Sequence, residues 1–138
     1  MARVLGIDYG TKRVGLAVTD PLQIIATGLD TVHSMDLFSF IKNYLKTEEV
    51  ERIVIGMPKN LNNEATDSTP HVVGVIRKLK KEFPNIAITE VDERFTSKMA
   101  FNTMIESGIS KKKRADKGTI DKLSATIILQ SYLEKNSL

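Results

Sequence analysis

Apolar, largely β-branched positions open the chain in two runs separated by a glycine-centred turn. Val4-Leu5-Gly6-Ile7 leads into Asp8, Tyr9-Gly10-Thr11-Lys12 turns, and Val14-Gly15-Leu16-Ala17-Val18 leads away. Runs bounded in this way predict a β-hairpin. Asp20-Pro21 makes the next turn, and residues 24–32 predict a third, less regular strand. From Asp36 onward the period changes. Leu37, Phe38, Ile41, Tyr44 and Leu45 recur at helical spacing, with Ser34 or Asp36 available as N-cap. Residues 52–57 then form a short apolar run of the kind buried on both faces of a sheet, ending in Gly56-Met57-Pro58.

Residues 59–68 read as a polar loop rich in Asn and Thr. Thr69-Pro70 opens a second helix, with proline near its first turn. Its apolar stripe is Val72, Ile76, Leu79 and Phe83, and Pro84-Asn85 ends it. Residues 86–91 predict another strand, running into Asp92-Glu93-Arg94-Phe95-Thr96. A helix over 97–107 with Gly108 as C-cap, a basic loop over 111–118 and a last helix from Thr119 to about Leu133 complete the order. Strand–helix–strand units demand parallel pairing, whereas the opening hairpins are antiparallel. The expected fold is therefore α/β, with a mixed five-stranded sheet and helices on both faces. Chemistry is expected at the carboxyl ends of the parallel strands.

Composition narrows the chemistry. The 138 residues read as one domain, 1–138, long enough to bury a core without staples. There is no cysteine, which excludes disulfides, thiolate zinc sites and cysteine nucleophiles. No signal peptide and no run of about 20 apolar residues is visible, so a cytoplasmic protein away from membranes is the expectation. A formal charge of +3 tilts partners towards polyanions.

Three acids stand where such a sheet would bring them together. Asp8 lies near the end of the first strand, and Glu93, with Asp92 beside it, lies just past the last. Asp121 lies in the first turn of the final helix, on one face with Ser124, Ala125 and Ile128. Singly, each has an ordinary explanation: a turn cap, a solvated loop acid, a carboxylate favoured by the helix dipole. Together, at the mouth of one sheet, they suggest a metal site. Basic and polar groups surround them on loops: Lys12 and Arg13, Lys59 and Asn60, Arg94 and Thr96, and Lys111, Lys112, Lys113 and Arg114 with Lys117. Such groups position a phosphate backbone without reading sequence. Tyr9 and Phe95 flank the acids, as base-stacking or packing residues.

The ordered set Gly6-Ile7-Asp8-Tyr9-Gly10 with Arg13, Gly15 and Ala17, then Gly56-Met57-Pro58, then Asp92-Glu93-Arg94 with Thr96, then Asp121 with Ser124-Ala125 resembles the YqgF (RuvX-like) family. Its members are described as pre-16S rRNA nucleases and as Holliday junction resolvases, within the ribonuclease H-like superfamily. The resemblance covers essentially the whole chain. It implies a ribonuclease H-like fold and nuclease activity, with Asp8, Glu93 and Asp121 as catalytic carboxylates holding Mg2+ or Mn2+, and it favours Glu93 over Asp92. Oxygen-only ligands suit those ions, and two of them roughly 3.5–4 Å apart can activate water and stabilise a leaving oxygen. The family's Gly-x-Pro usually continues with an acid or Asn and then Gly. Here Asn62 and Asn63 stand at those places, and Asn tolerates a left-handed backbone best among non-glycine residues.

The implied substrate is pre-16S rRNA within a small-subunit precursor, with branched DNA as the alternative. Residues alone leave RNA and DNA open, and likewise monomer and weak homodimer. A resolvase would need a dimer, since two symmetric cuts need two sites. A non-catalytic RNA-binding assembly factor is a third reading. The glycine-bearing hairpin also resembles that of sugar kinases and Hsp70-like ATPases, which need a second domain to clamp ATP.

Overall fold

The computed structural model describes residues 2–10, 12–57, 69–92 and 117–135, with the backbone alone at Thr69, Asp92, 117–121 and Lys135. In chain order the elements are β1 (Arg3–Tyr9), β2 (Arg13–Thr19), β3 (Ala26–His33), a 3-10 turn (Ser34–Asp36), α1 (Leu37–Tyr44), β4 (Val50–Met57), α2 (Thr69–Glu82), β5 (Ala87–Asp92) and α3 (Lys117–Lys135). The strands form one sheet in the order β3-β2-β1-β4-β5. β1, β2 and β3 pair antiparallel, while β4 joins β1 and β5 joins β4 in parallel. The expected mixed five-stranded sheet is present.

The β1–β2 turn depends on Gly10. A Cβ there would lie 2.6 Å from the Arg13 carbonyl oxygen, so any side chain would force the backbone apart.

Period-two alternation divides the apolar residues between two layers. Leu5 and Ile7 of β1, Val14, Leu16 and Val18 of β2, and Ile53 and Ile55 of β4 pack under α1 and α2. From α2 come Val72, Ile76 and Leu79, and Phe83 just past its end completes the stripe read from the sequence. Val4, Ala17, Ala26 and Val54 face the other way, onto Ala125, Ile128 and Leu129 of α3. β4 thus feeds both layers, and Ile53, Val54 and Ile55 are fully buried. Helices cover both faces, as the pattern requires.

Two local expectations change. Asp36, one of the two expected residues, stands at the N-cap of α1, but Ser34–Asp36 form a 3-10 turn ahead of the helix and the Asp36 side chain makes no cap bond. Instead the Met35 amide donates to His33 Nδ1 at 3.1 Å. The last helix starts at Lys117 rather than Thr119, which takes Lys117 and Gly118 out of the basic loop and moves Asp121 beyond the first turn. Helix-forming Lys117, with the stretch that follows, outweighs the single glycine. The expected loop over 59–68, the helix over 97–107 with its Gly108 cap, and the basic loop over 111–116 lie outside the described residues.

At the edge of the sheet where β1 begins, Thr19 and Asp20 hold the chain. The Val4 amide donates to buried Thr19 Oγ1 at 2.9 Å. The Asp20 carboxylate accepts from the amides of Leu22 (3.2 Å), Ile24 (2.8 Å) and Ile25 (2.8 Å). These bonds hold its pKa below the usual carboxylate value, the Ile25 amide contributing most.

Candidate active site

The opposite edge collects the C-terminal ends of β1, β4, β5 and β3 with the start of β2. Asp8 pairs with Gly15, and Gly15 with Thr31, so these three residues form one row across β1, β2 and β3. Alternation puts Asp8 on the face that carries α3, since Val4 packs there while Leu5 and Ile7 pack on the other side. Asp8 is partly buried. A carboxylate in such a place needs polar or cationic company, and Asp8 does have a polar interaction.

Two residues back along β1, on the same face, lie Gly6, Ala17 and Gly28, paired in sequence across the same strands. No side chain in that row exceeds a methyl group, which makes a trough for α3. A Cβ on Gly6 would stand 3.0 Å from Leu129 Cβ and 3.2 Å from the Ala125 carbonyl oxygen. One on Gly28 would stand 3.5 Å from Lys122 Cβ and 3.6 Å from Thr126 Oγ1. Ser124, Ala125 and Ile128, read from the sequence as a sheet-facing stripe, are all buried.

The C-terminal part of α3, at Leu133 and Glu134, lies beside Ile25 and Ala26 at the start of β3. The helix therefore runs antiparallel to β1. From Gly6 to Asp8 the strand advances about 6.7 Å. From Ala125 back to Asp121 the helix advances about 6 Å in the same direction. The backbone at position 121 therefore lies towards the end of the sheet that carries Asp8.

β5 ends at Asp92, paired with Met57 at the end of β4. Glu93 lies outside the described residues, as do Lys59, Asn60, Arg94, Phe95, Thr96, Lys111, Lys112, Lys113 and Arg114. Of the expected backbone contacts, Lys12 and Arg13 are described, and both are exposed beside the Asp8 turn. Tyr9 packs partly buried against the α1–α2 layer, so packing accounts for it. Among the described residues no three carboxylate, imidazole or thiol groups gather as a cation site; of the three proposed ligand side chains, the structure describes that of Asp8. The Gly6-Ala17-Gly28 row was not singled out by sequence reading. Its signal was available in the small residues that follow one another at even spacing along the two hairpins.

Residues 2–135 match the RuvX family, described as Holliday junction resolvase. A Bacteroides fragilis protein is 52% identical over 138 residues, the whole of both chains. One from Porphyromonas gingivalis is 53% identical over 134 residues, 97% of each chain. One from Flavobacterium psychrophilum is 51% identical over 135 residues, 98% of each. All three carry the name "Putative pre-16S rRNA nuclease". Among solved structures, Thermus thermophilus RuvC in complex with a Holliday junction substrate superposes with a TM-score of 0.59 at 15% identity, covering 99% of this chain and 98% of that one. Fowlpox virus resolvase with its Holliday junction DNA gives 0.62 at 13% identity, covering 96% and 97%. At those identities the likeness is one of fold, and the fold is shared along nearly the full length.

Proposed function

This chain belongs to the RuvX family, and we propose that it is a metal-dependent nuclease hydrolysing phosphodiester bonds in the 5' end maturation of pre-16S rRNA. The observation that carries the reading is end-to-end identity of about half to proteins named for that activity. The local support is the position of Asp8 at the open end of the trough that receives α3.

The catalytic set of the proposal is Asp8, Glu93 and Asp121, and the same three would hold Mg2+ or Mn2+. The donor chemistry fits, because carboxylate oxygens suit small hard cations. When bound, such a cation supplies Lewis acidity to a phosphate oxygen and acidifies water. The protein's own contribution is position and charge. Asp8 is fixed by a strand paired on both sides, and close packing at Gly6 sets the depth of α3, so neither the strand nor the helix can drift independently. Lys12 and Arg13 flank the Asp8 turn and neutralise the backbone of the incoming strand. Lys59, Asn60, Arg94, Thr96, Lys111, Lys112, Lys113 and Arg114 extend that backbone path in the proposal. A cytoplasmic site of action is part of it, and no described helix is long and apolar enough to cross a membrane.

Four-way DNA is the second reading, favoured by the shared fold with RuvC and the fowlpox resolvase. A direct comparison separates the two. Labelled RNA spanning the 16S precursor end and a labelled four-way junction are incubated with the protein and Mg2+ or Mn2+. Cleavage of the RNA at rates well above the junction supports the proposal. Preferential, symmetric junction cutting replaces it with the resolvase reading, and binding of RNA without cleavage of either substrate leaves an assembly factor.

A further inference from the structure

Two residues beyond Asp8–Gly15–Thr31 towards the site edge, on the same face, lies the Arg13–His33 pair. His33 ends β3, two strands from Asp8 and two residues further along. That displacement is about 12 Å between backbones, from a strand spacing of about 4.8 Å and a rise of about 3.3 Å per residue. Val32 packs on the α1–α2 side, so alternation turns His33 to the face that carries Asp8. His33 is exposed, as are Lys12 and Arg13. The corner is braced, because the Ser34 amide donates to the Lys12 carbonyl oxygen at 3.1 Å and ties the β1–β2 turn to the end of β3.

The imidazole is oriented as well. Its Nδ1 accepts the Met35 amide at 3.1 Å. A ring nitrogen that accepts a hydrogen bond carries no proton, so the ring hydrogen sits on Nε2. The second nitrogen therefore becomes an oriented donor on an exposed residue. A phosphate or ribose oxygen is the natural acceptor for a single oriented N–H beside two cationic side chains.

We propose that His33 is a nucleic-acid contact: its Nε2–H donates to the sugar–phosphate backbone of a strand that passes from Asp8 along the site edge, by the β1–β2 turn, to the Arg13–His33 row. This rests on the nucleic-acid reading above and adds to it the direction in which the strand leaves the site. A separation of about 12 Å places the contact within a few nucleotides of the scissile bond.

The difficulty in testing it is that His33 also caps the turn before α1. His33→Asn separates the two roles, since a side-chain carbonyl oxygen can accept the Met35 amide but lacks the reach of Nε2. Binding is measured in an Asp8→Asn background with Mg2+, by fluorescence anisotropy of a labelled single-stranded RNA from the 16S precursor end, from low to moderate salt. Both His33→Asn and His33→Ala are expected to raise Kd three- to ten-fold, with His33→Asn melting at the parent temperature. Because a neutral donor releases no counterion, the slope of log Kd against log salt stays at the parent value. Parent-like affinity in His33→Asn, with or without loss in His33→Ala, overturns the contact and leaves a capping residue. A parent that binds neither this RNA nor a four-way junction at any salt instead removes the nucleic-acid reading, and this contact with it.

Discussion

A methyl group on Gly6 would come within 3.2 Å of the Ala125 carbonyl oxygen, so β1 and α3 touch backbone to backbone at the centre of the sheet. The contact sets the height of α3 above the strand that carries Asp8. It works because Gly6 pairs with Ala17 and Ala17 with Gly28, leaving no bulky side chain beneath the helix.

Gly6→Ala is therefore expected to lift α3. Overpacking of this kind costs about 1–3 kcal/mol, and a displacement of about 1 Å at the chemistry costs roughly 100-fold in rate. Chemical denaturation and single-turnover cleavage together check this. A variant with lowered stability and an unchanged cleavage rate would detach the helix position from catalysis.

Thr19 probes the far edge of the sheet. Thr19→Val keeps the shape but removes the acceptor of the Val4 amide in a fully buried position. The orphaned amide should cost about 1–3 kcal/mol. Cleavage per folded molecule should hold, since the change lies at the edge opposite Asp8. Unaltered denaturation midpoints would mean that the amide finds another partner.

Asp20 makes stability depend on pH. Its folded pKa lies below the unfolded value because backbone amides hold the charged form. The contribution is complete above the unfolded pKa, near 4, and fades as pH falls through the folded value. Asp20→Ala should thus unfold at lower urea than wild type at pH 7, and the gap should narrow at pH 3. An equal gap at both pH values would contradict the carboxylate's role.

Lys12 tests the electrostatic path. Lys12→Ala should weaken RNA binding and lower the slope of log Kd against log salt by about 0.7 for one lost phosphate contact on a single strand. Affinity and slope both matching wild type would place Lys12 off the path.

Much of the fold was legible because its signals are local. The two apolar runs around Tyr9-Gly10-Thr11-Lys12, the alternation in β1 and β2, and the Val72-Ile76-Leu79-Phe83 stripe each specify one element and one buried face. The sense of pairing, antiparallel in the hairpins and parallel across the helical crossovers, followed from the connections. What was not legible is relational. His33 caps the 3-10 turn that precedes α1 because β3 delivers its ring to the Met35 amide, a geometry no residue-by-residue preference encodes. The trough under α3 likewise depends on which residues of three strands pair. For the site itself, Asp8 was identifiable as an acid inside an apolar strand, and its row partners Gly15 and Thr31 became visible only through register.

In the proposed function, Asp8 belongs to a cation-dependent phosphodiester cleavage site. The most direct measurement is cleavage of end-labelled 16S precursor RNA by wild type and by Asp8→Asn, across a titration of Mg2+ and Mn2+ and after chelation. Asp8→Asn should fold normally, and its heat denaturation provides the control. Cleavage by wild type should rise with the cation, stop on chelation and fall at least 1,000-fold in Asp8→Asn, an expected loss of roughly 4 kcal/mol of transition-state stabilisation. Cleavage that persists in a folded Asp8→Asn, or that ignores the cation, would contradict the proposal.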